Sequence, residues 1–461
     1  MKIDIYSLSN YIPTVKKPER PLSFKEKMFW LFLIVALYFL LSHVPLIGTH
    51  TTQTIQFFNQ LIFSALLGAK LNTLATLGIS PIIVAGIILH ILVTSKIINI
   101  NIREPEGRKK YNSLEKLFIV IFIFFESLFF VHGKILPIKE NLFLKIFVFI
   151  QIVIGTFLIY FLVEIANKYT FISGINLIIF LGVSQTVIVN TLSPFSYDSI
   201  HNSFVLLNEN SYPISKAFTF VFSLKDKDIK TFISEFLSLF LTIATMLLLI
   251  ILLRTRIEIP ITFQVPIFSR PLELSLLYTS ILPLIFTYAL IANFQFLAFS
   301  LAKTQVAYDT FCGILGCISS TQGPVSGFIY YITPPKSIFN IDLIRLLIHS
   351  FIIISLSVLF SYTWVNIGGM TAKDIADSLY ESGFTISGFR TKQDIEKILN
   401  KYIPTLSILS GIIVGLIAII SEIFGIIGGI GLILATSISY STYENLKRER
   451  EQALPKLFNL E

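Results

Sequence analysis

Ten long apolar runs, each almost free of charge, constrain this chain more than any other feature. They fall at roughly 28–47, 73–95, 113–133, 142–165, 172–192, 233–253, 275–300, 341–366, 402–421 and 423–444. A run of about 20 apolar residues can cross the hydrocarbon of a bilayer as a helix. Hydrophobic residues make up 54% of the 461 positions and charged residues only 14%, against roughly 25% charged in soluble domains. A soluble protein could not cover its surface with that supply, and the mean hydropathy of +0.76 agrees. The expectation is an all-α polytopic membrane protein. The first run begins near Met28 after a polar leader and is too long for a signal peptide, so it reads as a retained span.

Lysine and arginine set the orientation, because they concentrate on the cytosolic side. With the N-terminus in the cytosol, that side holds six before the first run and six across 96–116. It also takes Lys168, three in 254–270, five in 373–401 and four in the tail, 25 of the 36 in all. Both termini are therefore expected inside. An odd number of spans in each half makes spans 1–5 and 6–10 run in opposite senses, the pattern of inverted repeats. The expected divisions are a cytosolic segment 1–27, an N-terminal half 28–192, an external linker 193–232, a C-terminal half 233–446 and a cytosolic tail 447–461.

Three connections stand out. Residues 48–72 are semi-polar around an apolar centre, Phe57, Phe58, Leu61, Ile62 and Phe63, and read as a re-entrant helix at about 56–71. Such an element is tolerated at membrane depth only inside protein or beside a wet cavity. In the cytosolic loop 254–275, Ile257, Ile259 and Ile261 alternate with Arg256, Glu258 and Pro260, as in a strand or hairpin arm. In the cytosolic loop 370–402, Thr371 can cap a helix that ends at Gly383. Thr391 can cap a second, with Ile395, Ile398 and Leu399 on one face and Arg390 at the turn between. The external loops 193–232 and 301–340 read as long and irregular.

Catalytic or metal chemistry is not expected. The six histidines are scattered, and the two cysteines, Cys312 and Cys317, follow no zinc or redox spacing. They read as small loop residues, or as a disulfide if that loop faces outside. The glycines of "GIIGGIGLIL" read as helix packing rather than a nucleotide loop. Ionisable or polar groups inside spans are functional candidates, Glu126 and Asn293 above all, while Glu164 lies near the end of the fourth span. A secondary transporter would need more paired charges at the midplane, and an intramembrane enzyme would need a nucleophile and base. A conduit without fixed charges along it fits better.

The stretches "FKEKMFWLFLIVALYFL", "TLGISPIIVAGIILHIL", "VEIANKY", "SGINLIIFLGVSQT", "RIEIP", "GFR", "KYIP" and "GGIGLILATSISY" resemble, in order and from about Phe24 to Arg450, the SecY family. These are the alpha subunits of protein-translocation channels, here in the archaeal form. The resemblance implies two inverted five-helix halves around a central pore, with no cofactor. Its pore ring falls on Ile79, Ile83, Ile175, Ile179, Ile285 and Leu434, its plug on the 56–71 segment, and its lateral gate on Val84, Glu126 and Asn293. Val84 departs from the polar residue usual in the family. Arg256 and Arg390 match ribosome-docking positions, where arginine suits ribosomal RNA phosphate. Implied partners are a gamma (SecE-type) and a beta-type small subunit forming a heterotrimer, the ribosome, signal sequences and nascent chains, and membrane lipid. The implied location is the cell membrane. An apolar ring excludes water and ions by dewetting while binding no particular sequence.

Overall fold

The computed structural model describes residues 12–49, 68–100, 104–132, 136, 138, 141–192, 195–198, 203–206, 217, 219, 221, 229–263, 269–279, 282–301, 304–307, 310–319, 323–334, 342–386, 391–424, 426 and 429–458. Each of the ten expected runs falls on a helix. The N-terminal five are α1 (Phe24–His43), α2 (Ser80–Thr94), α3 (Pro105–His132), α4 (Leu142–Tyr169) and α5 (Gly174–Leu192). The others are α6 (Ile229–Arg254), α7 (Leu282–Leu301), α9 (Leu343–Ile367), α11 (Lys392–Ile423) and α12 (Gly429–Phe458). Two shorter helices, α8 (Phe328–Ile332) and α10 (Ala372–Glu381), lie in the connections.

Four stretches, Leu142–Tyr169, Glu235–Arg254, Leu343–Asn366 and Lys392–Ile423, are long and apolar enough to cross a membrane alone. Ser80–Thr94, Gly174–Val189 and Leu282–Gln295 are shorter apolar helices. The remaining three, α1, α3 and α12, carry their charges at one end, apart from Glu126 of α3. Large apolar side chains point outward all round: Phe32 on α1 and Phe351 on α9 are each 73% exposed, and Phe143 on α4 is 72% exposed. A surface this apolar belongs in lipid.

Helix starts follow the sequence. Ser23 caps α1 and exchanges hydrogen bonds with Glu26, a capping box. Asn141 caps α4, Asp342 caps α9, and Thr371 and Thr391 cap α10 and α11 as expected. Two ends differ from expectation. The second expected run opens at 73, yet α2 begins only at Ser80. Gly78 has φ +54°, and Pro81 sits in the first helical turn. Residues 68–79 form hydrogen-bonded turns, with Lys70 N–H donating to Ala75 O at 3.1 Å and Gly78 N–H to the same oxygen at 3.0 Å. Ala69, Leu71, Ala75 and Leu77 are buried there, so irregular backbone lies within protein. Gly155 of α4 makes the fit possible, because a Cβ there would stand 2.1 Å from Leu74 O.

The other difference is α11. The expected cytosolic helix after Thr391 and the ninth span are one continuous helix of 32 residues that passes through Pro404. Proline removes one backbone donor and normally ends or bends a helix. Here Ile403 and Leu406 on either side of it are buried in a second apolar cluster with Ile395, Leu399, Ile259 and Leu274, which packs against both segments.

Small antiparallel sheets cap the ends. The expected hairpin is β3 (Arg256–Phe263) against β4 (Ser269–Ser275), joined on its other edge by β9 (Phe384–Ile386). Within the expected external linker, β1 (Phe195–Asp198) pairs with β2 (Ser203–Leu206). The loop after α7 is not irregular: β5 (Thr304–Ala307), β6 (Thr310–Gly313), β7 (Gly316–Ser319) and β8 (Gly323–Ser326) form a four-stranded meander. Cys312 and Cys317 face each other across β6 and β7 and are joined by a disulfide. Strands of four residues, rich in glycine and threonine, leave no alternation to read.

One large apolar cluster runs through the helices of both halves. Small residues let the helices approach: a Cβ on Gly411 of α11 would meet Val358 Cα of α9 at 2.8 Å, and one on Gly431 of α12 would meet Val183 of α5 at 3.0 Å. The latter lies in the glycine-rich stretch read as packing.

Candidate functional site

The six expected ring positions come from four helices. Ile79 caps α2 and Ile83 lies on its first turn; Ile175 and Ile179 lie on α5, Ile285 on α7 and Leu434 on α12. All six join the large apolar cluster, five of them as buried residues and Ile175 as a partly buried neighbour. Ile79, Ile179 and Leu434 have no exposed surface.

The three expected gate positions line one cavity of about 230 Å³. Val84 comes from α2, Glu126 from α3 and Asn293 from α7, with Phe122, Phe125, Phe129 and Phe294 among the other walls. The space is open on one side and apolar apart from Glu126 and Asn293. Val84, where a polar residue was expected by resemblance, adds to the apolar wall. No side-chain hydrogen bond closes the cleft between these positions: Asn293 Nδ2 donates to Ala289 O of its own helix at 2.8 Å. Glu126 is buried, and its Oε1 has no hydrogen-bond partner. The Ser80 hydroxyl of α2 is likewise buried without a hydrogen-bond partner. Further along α2, the His90 ring stacks 6.0 Å from Trp364 of α9 and lies 6.4 Å from Phe286 of α7.

The other expected sites are placed less completely. The apolar centre of the re-entrant segment, Phe57, Phe58, Leu61, Ile62 and Phe63, lies outside the described residues, as does Arg390. Arg256 opens β3, and its two terminal nitrogens bond Glu273 of β4 and Glu444 of α12. These contacts and a hydrogen bond to Tyr440 hold its guanidinium above the ordinary arginine range.

Two polar clusters were not anticipated. Glu164 accepts from Val15 N–H at 2.7 Å and from Lys168 at 3.3 Å, so the acid near the end of the fourth span fastens the N-terminal segment to α4. The second joins His349 of α9, Glu422 of α11 and Tyr288 of α7, all buried. Their wide separation in sequence hid it, and Glu422 falls in the gap between the expected runs 402–421 and 423–444.

Apolar helices of both halves that share one aliphatic core, beside a half-open apolar cleft, define a polytopic membrane protein. A family model described as SecY matches residues 73–443. The chain is 34% identical to a protein translocase subunit SecY of Methanothermobacter thermautotrophicus, over 96% of this chain and 95% of that one. It is 31% identical to that of Pyrococcus furiosus, over 98% of each. Among solved structures it matches one described as a protein conducting channel at TM-score 0.79 and 30% identity, covering 96% of each chain. It also matches Sec61 in the canine ribosome-channel complex from the endoplasmic reticulum at TM-score 0.76 and 29% identity, again over 96% of each. The chain belongs to the SecY family.

Proposed function

We propose that this chain is the pore-forming subunit of a protein-conducting channel, with an apolar ring as its seal and the cleft between α2, α3 and α7 as its lateral gate. One observation supports the reading: the six ring positions, from helices of both halves, belong to one aliphatic cluster, beside a half-open apolar cleft lined by α2, α3 and α7. Such a centre passes chains of any sequence without binding them, and an apolar segment leaves through the cleft into lipid. The halves 28–192 and 233–446 move as two bodies joined by 193–232, in ten crossings with both termini cytosolic, in the cell membrane. The segment 56–71 is the plug. Solved relatives described in a ribosome-channel complex support docking of the ribosome on the cytosolic loops through Arg256 and Arg390. Small gamma- and beta-type subunits complete the complex.

Crosslinking tests this. A photoreactive group at 79, 83, 175, 179, 285 or 434 of the reconstituted channel is expected to capture a stalled secretory chain, while groups on lipid-facing Phe32 or Phe351 are not. Equal capture at both sets, or none at the six, would refute the assignment.

A further inference from the structure

The connection from α7 to α9 contains α8, a helix of five residues and too short to stand by itself. Three neighbours hold it. On the α7 side, Gln295 Nε2 donates to Thr333 Oγ1 at 3.2 Å, and the Phe294 ring meets Phe328 edge-on with centroids 6.0 Å apart. On the α9 side, Arg345 Nη2 donates to the carbonyl oxygens of Thr333 and Pro334 at 3.0 and 3.2 Å. Its guanidinium also covers the Tyr330 ring, 4.0 Å from the centroid. The third neighbour is the β6–β7 hairpin, whose Leu315 O accepts from Ile329 N–H at 3.0 Å. There the backbones touch: a Cβ on Gly316 would stand 2.1 Å from Ser326 O, and one on Gly327 would stand 2.4 Å from Gly316 Cα.

The Cys312–Cys317 disulfide closes this hairpin around its tip, residues 313–316. Strands β6 and β7 are only four residues long, so few backbone hydrogen bonds tie the tip down. The covalent link limits how far the tip can open, and it keeps Leu315 O where α8 meets it. On the opposite side of α8, Phe294 lines the cleft together with Asn293. A covalently closed hairpin, a short helix and the cleft wall thus stand in one line of contact.

We propose that α8, backed by the disulfide-closed hairpin, is a bracket that positions the end of α7 away from β4, with Phe328 and Thr333 as its positioning residues. Its effect on transport rests on the gate assigned above; the bracket itself does not. The Thr333 hydroxyl is buried and donates to Ile329 O at 2.8 Å, so the Gln295 amide meets an acceptor already fixed in direction. A helix held in this way keeps one distance from α2 and α3 across the cleft. Freed at this end, α7 samples a range of distances, and the wider ones admit less apolar segments. The bracket therefore sharpens discrimination among signal segments.

The test uses the full-length channel in lipid vesicles, with spin labels on non-natural amino acids at 88 of α2 and 297 of α7, both in the cleft wall. Wild type at rest is expected to show a narrow distribution of distances. Thr333→Val and Phe328→Ala are expected to broaden it, and Thr333→Ser and Phe328→Tyr to restore it. Valine keeps the volume of threonine, so broadening there reports the lost hydrogen bond. The ratio of insertion of a strongly apolar to a weakly apolar signal segment is expected to fall several-fold in the broadened variants. The disulfide is tested on assembled wild type, where folding is complete, and Cys312 and Cys317 are the chain's only cysteines. Dithiothreitol gives the bond two electrons and two protons and closes into its own cyclic disulfide. Iodoacetamide then caps each thiol, with release of iodide and a proton, and the capped channel is expected to show the broad distribution. Unchanged widths in Thr333→Val and Phe328→Ala overturn the bracket. An unchanged width after capping, or cysteines that alkylate without dithiothreitol, overturns the part given to the disulfide. Broader distances with an unchanged insertion ratio count against the gate and not against the bracket.

Discussion

Asn293 and Glu126 stand on different helices of one apolar cleft, and neither holds the other. In the proposed gate, an incoming helix covers both polar groups with apolar side chains, and burying a polar group without a partner costs free energy. Asn293 is partly satisfied by its own helix, so its replacement removes that cost without orphaning a neighbour. Asn293→Leu is expected to lower the signal hydrophobicity needed for insertion by about one leucine equivalent, ~0.5 kcal/mol. A graded series of signal segments in a reconstituted insertion assay measures the shift, and an unchanged threshold would remove Asn293 from the gate. At this scale the sequence was generous. Glu126 and Asn293 announced themselves as polar residues in apolar runs, whereas Ile79 or Leu434 looked like any other aliphatic. Family resemblance, not periodicity, singled out the ring. The His349–Glu422 pair was invisible because its partners are separated by 73 residues.

At the scale of elements, the long apolar runs and the caps were legible because both are local. Run length, a capping threonine and a proline in the first turn act over a few residues. The exceptions were settled by tertiary contact. Residues 73–79 looked apolar enough to extend α2, but Gly78 turns the chain and the surrounding helices bury it as a coil. Strands β5 to β8 depend on pairing with each other, which no single stretch reveals. The hairpin β3–β4 carries the docking prediction. Arg256 is occupied at its base by Glu273 and Glu444, so its reversal disturbs the hairpin as well as any phosphate contact. Arg390→Glu is therefore the cleaner change. It is expected to weaken ribosome binding several-fold and to flatten the dependence of log affinity on log salt by about one unit. Binding titrations at two or three salt concentrations check this, and an unchanged slope would move docking elsewhere.

For the whole molecule, the two halves meet through side chains that can part without breaking bonds: aliphatics at the ring, aromatic faces at His90 and Trp364. Contacts inside a half are tighter, since a Cβ on Gly174 of α5 would stand 2.2 Å from Val163 O of α4. Spin labels at 88 on α2 and 294 on α7 are expected to move apart when a signal segment engages. Labels at 146 on α4 and 188 on α5 should hold their separation. Equal movement in both pairs would contradict two rigid bodies.

The unbroken course of α11 through Pro404 has a mechanical meaning. Thirty-two helical residues make a rod about 48 Å long, with its foot in the apolar cluster beside β3 and β4 and its head at Glu422. A tilt of about 2° at the foot displaces the head by ~1.7 Å over that length, roughly the margin between a hydrogen bond made and one lost. Load applied at one end of this helix thus arrives at the other as torque, without any signal having to pass through the helices between.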